Sequence, residues 1–452
     1  MNVVGYMRTH RPARVERERF QQLPVALLNR TLGQVEEDCA FATPSASDTE
    51  FASKLMIAMS GSFANEAARR EMFWYMIREE FPTILFERYR DEGLETDGSA
   101  QIPVRQGLAL GINLEVKLDI GAGHGDPRLQ NCAHAALYYC SGRRDLLRAC
   151  SRCPTLLMEL SGPNLSLSGF AFGQYFCCDQ LSQTVSLLWQ PKSEVMIGAP
   201  RLVFAMRRAW PALQELDKQP VPDQWQLTFP CPCSYLSLRG LQRHGFKYLE
   251  RLTNYTFHAV PDGPAAGSHL PSTEPELFIK FCKNYSTEAH EALHKTGFAP
   301  RLLGCELLPG RWLMVVMEYL PSARIWDDVD PMEKPRDALR AALGALHDAG
   351  FVHGDLRGCN VLVDKERVYA TDLEWAGKVG EAKYPIFMNH DIDWPPDAGD
   401  NKPITKEHFA EMVRMMCIIS AGPAAWWRGW AGDCGNSRRP ARAHACICAW
   451  VV

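Results

Sequence analysis

The chain has 452 residues, of which 46% are hydrophobic and 23% charged, a composition typical of soluble globular proteins. Its formal net charge of -4 excludes a global basic field, so any contact with nucleic acid has to be local. We expect no membrane partner, because no uninterrupted apolar run reaches the roughly 18 residues that a spanning helix needs.

The N-terminal region is charged and then rich in Ser, Thr and Ala, with little periodicity, so we predict a mobile leader over residues 1–50. It lacks the apolar core of a secretory signal peptide. The 16 cysteines are scattered along the chain. We therefore expect mostly reduced, buried thiols and a cytoplasmic or nuclear location.

Residues 51–216 alternate between helical and strand-like patterns, which predicts an α/β domain. Asp126 is placed to cap a helix that has Pro127 at its first position. The pattern predicts three elements: an amphipathic helix over residues 65–81, a strand over 112–118 and a helix over 127–140.

Glu115 and Lys117 project from the same face of the predicted strand 112–118, because strand side chains alternate between two faces. Asp97 precedes the strand. An Asp followed by Glu-x-Lys on a strand resembles the PD-(D/E)xK nuclease superfamily, and the region is similar to the restriction-endonuclease-like modules of Crinkler-type proteins. The alternative is an ordinary solvated charged face.

The nuclease resemblance implies a divalent metal held by the Asp97 and Glu115 carboxylates, with Lys117 helping to activate water, and nucleic acid as partner. Gln130 and Glu66 match further positions used in that superfamily. Because neighbouring carboxylates repel each other, we expect a divalent cation between Asp97 and Glu115. Replacing Glu115 by Gln is then expected to preserve or raise stability.

Residues 217–233 carry four prolines and predict a linker to a second domain over residues 234–420. The last segment, 421–452, crowds Trp, Cys, Arg and Ala without period. We interpret that segment as an unstructured tail or an artefact of gene prediction.

The second domain contains the stretch FVHGDLRGCNVLV, residues 351–363, between a predicted helix and a predicted strand. Its D-x-x-x-x-N spacing is that of phosphoryl-transfer catalytic loops. Asp355 is placed to accept a hydroxyl proton and Asn360 to bind Mg²⁺ through its amide oxygen. Asp372 ends the next apolar run and offers a second metal ligand, to which Glu374 adds a further carboxylate.

A cation for the phosphates is expected from Lys280, on the predicted strand ELFIKFC. A short helix follows, with Ser286 as N-cap and Gly297 at its end. We expect Glu288, in its first turn, to pair with Lys280. The strand WLMVVMEYL leads into a connector, 318–320, whose Glu318 and Leu320 backbone groups are expected to meet an adenine.

This ordered set resembles the protein-kinase-like superfamily: Lys, a helix Glu, V-V-M-E-Y, H-G-D-x-x-x-x-N and D-L-E-W-A-G. The HGD and DLEWAG variants resemble the aminoglycoside and choline phosphotransferase branch and the kinase-like domains of fungal proteins. The resemblance implies an α+β two-lobed fold behind the α/β domain. It also implies ATP and Mg²⁺ as cofactors, Asp355 as catalytic base, Asn360 and Asp372 as metal ligands, and a Lys280–Glu288 ion pair.

Three departures from the kinase pattern stand in the sequence. No G-x-G-x-x-G loop precedes Lys280, HGD replaces H-R-D, and no A-P-E segment follows. The function that the resemblance implies is ATP-dependent transfer of phosphate to a hydroxyl of a protein Ser/Thr or a small molecule. A pseudokinase scaffold and a metal-dependent nuclease in the first domain are the alternatives.

Overall fold

The computed structural model describes residues 22–91, 94–121, 126–190, 192–218, 224–238, 240, 242–262 and 275–419. The chain divides into two compact units, Met1–Pro232 with Leu308–Arg311, and Cys233–Leu307 with Trp312–Val452. The division after Pro232 falls in the stretch predicted as a linker. The predicted tail 421–452 lies outside the described residues.

The first unit combines helices with a mixed sheet. Its described helices are α1 (Val25–Leu28), α2 (Arg30–Phe41), α3 (Ala46–Met59), α4 (Glu66–Glu80), α5 (Pro127–Cys140), α6 (Asp145–Cys150), α7 (Ser193–Met196) and α8 (Gly198–Gln214). Its described strands are β1 (Arg90–Asp91), β2 (Leu94–Glu95), β3 (Gly98–Val104), β4 (Gly107–Lys117), β5 (Thr155–Ser161), β6 (Asn164–Phe172), β7 (Phe176–Gln180) and β8 (Val185–Ser186).

The prediction of a mobile leader is wrong for residues 22–50, and its first part, residues 1–21, lies outside the described residues. Leu28, Leu32 and Val35 recur at helical spacing and are buried. Burial of these side chains favours an ordered chain, because it removes apolar surface from water. α1 packs against β6 and α2 against α8.

The sheet of the first unit has the order β3-β4-β5-β6-β7, with β8 paired to β6. β4 and β5 run parallel and the remaining pairs antiparallel, so α5 forms the crossover between them. α5 begins where predicted, because the Asp126 side chain accepts from the N–H groups of Arg128 and Leu129. The parallel register places Glu115 beside Glu159.

The second unit has a sheet followed by helices and short hairpins. Its described helices are α9 (Thr287–Lys295), α10 (Arg336–Asp348) and α11 (Lys406–Ile419). Its described strands are β9 (Ser234–Leu236), β10 (Arg243–Arg251), β11 (Thr256–Pro261), β12 (Leu277–Cys282), β13 (Leu302–Leu308), β14 (Trp312–Glu318), β15 (Arg324–Ile325), β16 (Phe351–Val352), β17 (Val361–Asp364), β18 (Arg367–Ala370) and β19 (Gly377–Lys378).

The large sheet of the second unit has the order β13-β14-β12-β11-β10-β9, and α9 connects β12 to β13. α9 begins at its predicted cap, because the Ser286 side chain accepts from the N–H of Ala289, and Gly297 follows its end with φ +82°. Leu293 of α9 shares one core with Leu339 of α10 and Phe409 of α11. The same core includes Leu356 of the loop between β16 and β17, and Val361 at the start of β17.

Candidate active site

The loop between β16 and β17 contains His353, which is fully buried. Its Nε2 donates to the Thr371 carbonyl at 2.9 Å, and its Nδ1 accepts from the Asp355 N–H at 3.3 Å. Burial lowers the pKa of His353 to about 4, so the ring is neutral at physiological pH. His353 therefore braces the loop.

Gly354 explains why the loop reads HGD. Its φ is +86°, a conformation that costs a residue with a Cβ free energy. A Cβ would lie 2.8 Å from Cδ1 of Ile404 and 2.9 Å from Cβ of Trp375. An arginine at this position would be strained and crowded, so the kinase-type HRD cannot be adopted here without rearrangement.

Asp355, the predicted base, is 8% exposed. The Arg357 guanidinium binds both of its carboxylate oxygens, Nε to Oδ1 at 2.5 Å and NH2 to Oδ2 at 2.8 Å. Burial raises the pKa of Asp355, and Arg357 opposes that rise. Arg357 lies 5.5 Å from the ring centroid of Trp394. Sequence reasoning missed Arg357; its position two residues beyond Asp355 was the available signal.

Asn360 is fully buried and its amide is oriented by the loop. Its Nδ2 donates to the Asp355 carbonyl at 2.8 Å and to Oδ2 of Asp355 at 3.0 Å. The Thr371 N–H and hydroxyl both donate to the Asn360 carbonyl, at 2.9 and 3.0 Å. Asn360 is thereby joined to the residue that precedes Asp372. Its side-chain oxygen, which accepts from the Cys359 thiol at 3.6 Å, is the atom that can act as a metal ligand.

Asp372 and Glu374 both reach Lys280, with carboxylate oxygens 2.6 Å from its Nζ. Asp372 adopts φ +62°, a conformation that non-glycine residues seldom take. Leu373 between them is fully buried, so the two carboxylates share one side of the chain. Burial alone would lower the pKa of Lys280, but the Asp372 and Glu374 carboxylates outweigh it and the net pKa is raised.

The predicted ion pair between Lys280 and Glu288 is wrong. Glu288 is exposed on α9, whereas Ala289, His290 and Leu293 form the buried face of that helix. Positions three and four apart share a helix face, so a buried stripe through 289, 290 and 293 turns Glu288 to solvent. Glu374 forms an ion pair with Lys280 of the kind that was predicted for Glu288.

The connector after β14 is held by its own side chains and backbone. The Glu318 carboxylate accepts from the Arg301 N–H at 2.7 Å, and the Tyr319 N–H donates to the Glu276 carbonyl at 2.8 Å. The Leu320 carbonyl accepts from Ala323 at 3.2 Å. The Glu318 side chain thus has a structural task, so an adenine at this edge would meet backbone groups of residues 318–320.

The turn between β10 and β11 replaces the missing glycine loop. The N–H groups of Leu252 and Thr253 both donate to the Thr256 carbonyl, at 2.9 and 3.3 Å. The Arg251 guanidinium donates to the carbonyls of Thr253 and Asn254, at 3.1 and 2.6 Å. These amides are used inside the turn, unlike the amides of a phosphate-gripping loop.

Across the described residues, no group of three or more His, Cys, Asp or Glu side chains is arranged to hold a metal ion. The carboxylates of Asp372 and Glu374 lie beside Lys280, and Asn360, which is bonded to Thr371, offers an amide oxygen. Mg²⁺ in nucleotide sites commonly takes one or two carboxylates together with phosphate oxygens and water. The donor set therefore fits Mg²⁺ bound together with a nucleotide.

A second group of predicted residues converges in the first unit. Lys117 Nζ lies 2.6 Å from Oε1 of Glu115 and donates to Oε1 of Gln130 at 2.9 Å. Glu115 is 1% exposed, so the solvated-face alternative is wrong. His134, which sequence reasoning missed, places its Nδ1 3.4 Å from Oε2 of Glu115 and lies one helical turn beyond Gln130.

Asp97 joins this group from the start of the neighbouring strand. Its Oδ2 accepts from the Val116 N–H at 2.9 Å, and its Oδ1 lies 3.3 Å from NH1 of Arg70. Burial and the Asp97 charge raise the pKa of Glu66. Arg70 and Lys117 supply positive charge to the carboxylates, so their proximity does not by itself require a divalent cation.

No family model matches the chain. A segment of 66 residues, 14% of this chain, is 35% identical to the KEOPS complex subunit Bud32 of Pyrococcus abyssi and spans 30% of that protein. The chain thus spans less than a third of the length of this curated relative.

Two kinases are among the similar solved structures. The Cydia pomonella granulovirus kinase PK-1 shares 16% identity with a TM-score of 0.31, covering 38% of this chain and 67% of that one. Vaccinia related kinase 3 shares 14% identity with a TM-score of 0.28, covering 41% and 66%. Separately, no helix in the described part of the chain is long and apolar enough to cross a membrane.

Proposed function

We propose that the second unit transfers the γ-phosphate of ATP to a hydroxyl, of a protein Ser/Thr or of a small molecule. The observation that supports this most is the convergence of Lys280 with Asp355, Asn360 and Asp372, which come much later in the sequence. Phosphoryl transfer needs positioned charges and a proton acceptor more than covalent chemistry from the protein.

Each residue then has a task that follows from its position. Asp355 accepts the proton of the acceptor hydroxyl at its carboxylate, while Arg357 limits how far burial raises its pKa. Lys280 provides a fixed ammonium for the phosphates, and Asn360 and Asp372 provide oxygen ligands. Mg²⁺ bound with ATP would supply neutralisation of phosphate charge. Arg357 adds a guanidinium suited to phosphate oxygens.

Two substitutions test the assignment. Asp355→Asn should abolish phosphate transfer while ATP affinity stays nearly unchanged, because Asp355 acts on the acceptor. Asp372→Asn should weaken Mg-ATP binding itself, because it removes a metal ligand. Calorimetry with Mg-ATP and transfer to a generic protein acceptor measure both. A wild-type chain with no Mg-dependent ATP binding would refute the kinase proposal.

The rival proposal is a pseudokinase scaffold. In the turn between β10 and β11 the N–H groups of Leu252 and Thr253 donate to a carbonyl of the same turn. This arrangement favours weak nucleotide binding. If the wild-type chain binds Mg-ATP but never transfers phosphate to protein or small-molecule acceptors, the scaffold proposal replaces the enzyme.

A second candidate function, metal-dependent nucleic-acid cleavage, rests on the first unit. The observation that favours it is the contact of Lys117 with both Glu115 and Gln130 beside Asp97. In such a site two carboxylates hold the metal and the lysine steadies charge on the phosphate. Lys117 and Arg70 compete for the carboxylates, so we expect weak metal affinity.

Melting of the full chain with and without roughly 10 mM Mn²⁺, about saturating for a modest site, tests this candidate. We expect a metal-dependent shift in the wild type that Glu115→Gln removes. In the absence of metal, Glu115→Gln should lower stability, contrary to the expectation from charge repulsion, because it leaves the nearly buried Lys117 with less negative charge nearby. No metal-dependent shift and no cleavage of single- or double-stranded DNA would leave this unit as a binding module.

We also place the protein in the cytoplasm or nucleus. Cysteines in the described part of the chain are free thiols, which suits a reducing compartment. Imaging of a tagged full chain tests this placement, and secretion into the medium would contradict it.

A further inference from the structure

We propose that Glu374, and no glutamate of α9, is the residue that holds Lys280 in place for the nucleotide phosphates. The inference rests on the proposed phosphotransferase function and assigns a positioning role within it. It is carried by the two ion pairs of Lys280, by the fixed backbone around Glu374 and by the orientation of α9.

Glu374 contacts Lys280 from a segment whose backbone is held in place by neighbouring residues. Leu373 is fully buried, and its carbonyl accepts from the N–H of Ser286, the N-cap of α9, at 3.1 Å. The backbone between Asp372 and Glu374 is therefore held by this hydrogen bond and by the burial of the Leu373 side chain. The Glu374 carboxylate lies 2.6 Å from Nζ of Lys280, whose side chain is 3% exposed.

α9 cannot offer Glu288 in exchange without breaking its own contacts. His290 is 1% exposed; its Nε2 donates to the Pro300 carbonyl at 2.8 Å, and its Nδ1 accepts from the Tyr285 hydroxyl at 2.6 Å. Rotating Glu288 inward would break both bonds and expose Leu293. Leaving buried polar groups unpaired destabilises the fold.

Because Lys280 pairs with two carboxylates, it keeps one partner when the other carboxylate binds a different group. If Asp372 turns to a metal ion, Lys280 keeps the Glu374 carboxylate and stays extended. The lysine is then held by a residue of the same segment that carries the metal ligand. No side chain of α9 takes part in this pairing, so a displacement of α9 would act on Lys280 only through the backbone contact between Ser286 and Leu373.

The test compares Glu374→Gln with Glu288→Gln, a matched change on an exposed glutamate. Full-length proteins are treated with acetic anhydride without nucleotide, and acetylation of Lys280 is followed by peptide mass spectrometry. Glu374→Gln removes one of the two carboxylates that lie 2.6 Å from Nζ of Lys280, so the amine is held less firmly and reaches the reagent more often. We expect faster acetylation of Lys280 in Glu374→Gln and no change in Glu288→Gln.

Mg-ATP affinity provides the second measurement. We expect about a tenfold loss in Glu374→Gln, partial recovery in Glu374→Asp and wild-type affinity in Glu288→Gln; circular dichroism shows whether each variant is folded. If Glu374→Gln is unfolded, the labelling of Glu374→Asp decides, with faster acetylation than wild type expected. Equal Lys280 labelling in the wild type and the folded Glu374 variant, or an effect of Glu288→Gln as large, overturns the inference. A wild type that binds no Mg-ATP refutes the proposed function, whereas the labelling still decides which glutamate holds Lys280.

Discussion

Arg357 occupies both oxygens of the Asp355 carboxylate, at 2.5 and 2.8 Å, and its guanidinium lies 5.5 Å from the Trp394 ring centroid. An acceptor hydroxyl has to share this carboxylate with the arginine or displace it. The same guanidinium suits the anionic oxygens of a transferred phosphate, so substrate binding is expected to redistribute its hydrogen bonds.

The Arg357 contact predicts a shift in pH dependence. Burial raises the pKa of Asp355 and Arg357 opposes that rise, so Arg357→Gln should raise the pKa further. A base with a higher pKa is protonated at higher pH, so the acid limb of the pH–rate profile should move upward. Arg340→Gln, which changes an exposed arginine paired to Asp337, is the control. An unmoved acid limb in Arg357→Gln would count against Asp355 as the base.

The hydrogen bonds within the turn between β10 and β11 predict that substitutions there have little effect on nucleotide affinity. Because its amides and carbonyls are bonded within the turn, Thr253→Ala and Asn254→Ala should change Mg-ATP affinity less than about threefold, under 1 kcal/mol. Thr253→Ala also breaks the hydroxyl contact with Thr256 at 2.8 Å and should lower the melting temperature slightly. Calorimetry and melting separate the two effects. A loss of affinity of tenfold or more from either substitution would show that the turn grips phosphate.

Gly354 predicts a cost for restoring the usual kinase residue. Gly354→Arg places a Cβ at φ +86° against Ile404 and Trp375, which should destabilise the second unit by about 1–3 kcal/mol for the strained backbone alone. Gly344→Arg, at a helical glycine with open space around it, is the matched control. Denaturant unfolding measures both. Equal stability of the two variants would mean that the loop relaxes without strain.

Glu159 predicts how the stability of the first unit varies with pH. It accepts from Ser166 and Ser168, and burial raises its pKa to about 8 from 4.5. Between these values the unfolded chain releases the proton that the folded chain keeps, so stability falls as pH rises from about 4.5 to 8. Glu159→Gln lacks this loss. Its melting temperature relative to wild type should therefore rise by several degrees between pH 5 and pH 8, and a constant difference would contradict the assignment.

Much of the local structure follows from short-range signals. The caps of α5 and α9 are predicted by Asp126 and Ser286, because capping depends on residues within one turn. The Lys280–Glu288 pair fails because it depends on which way a helix faces, and that is set by the packing of Leu293 and His290 against distant segments. The ordering of residues 25–50 is missed for the same reason.

The same distinction between short-range signals and tertiary packing applies to the residues of the candidate sites. Asp355, Asn360 and Asp372 are predicted by spacing along the chain, since each sits at the end of a strand or in a short loop. Arg70 and His134 are supplied by α4 and α5, and their approach to Asp97 and Glu115 depends on tertiary packing. Sequence patterns predict which elements carry charge but not which charges meet across elements.

The hydrogen bonds from Thr371 to the Asn360 carbonyl join the two proposed metal ligands, Asn360 and Asp372, through a single intervening residue. Loop and strand end are thus expected to move as one body. A preorganised site spends little conformational entropy when a cation arrives, so affinity is gained without ordering a segment. Amide hydrogen exchange at Thr371 is expected to be slow before any nucleotide or cation is added and to change little afterwards.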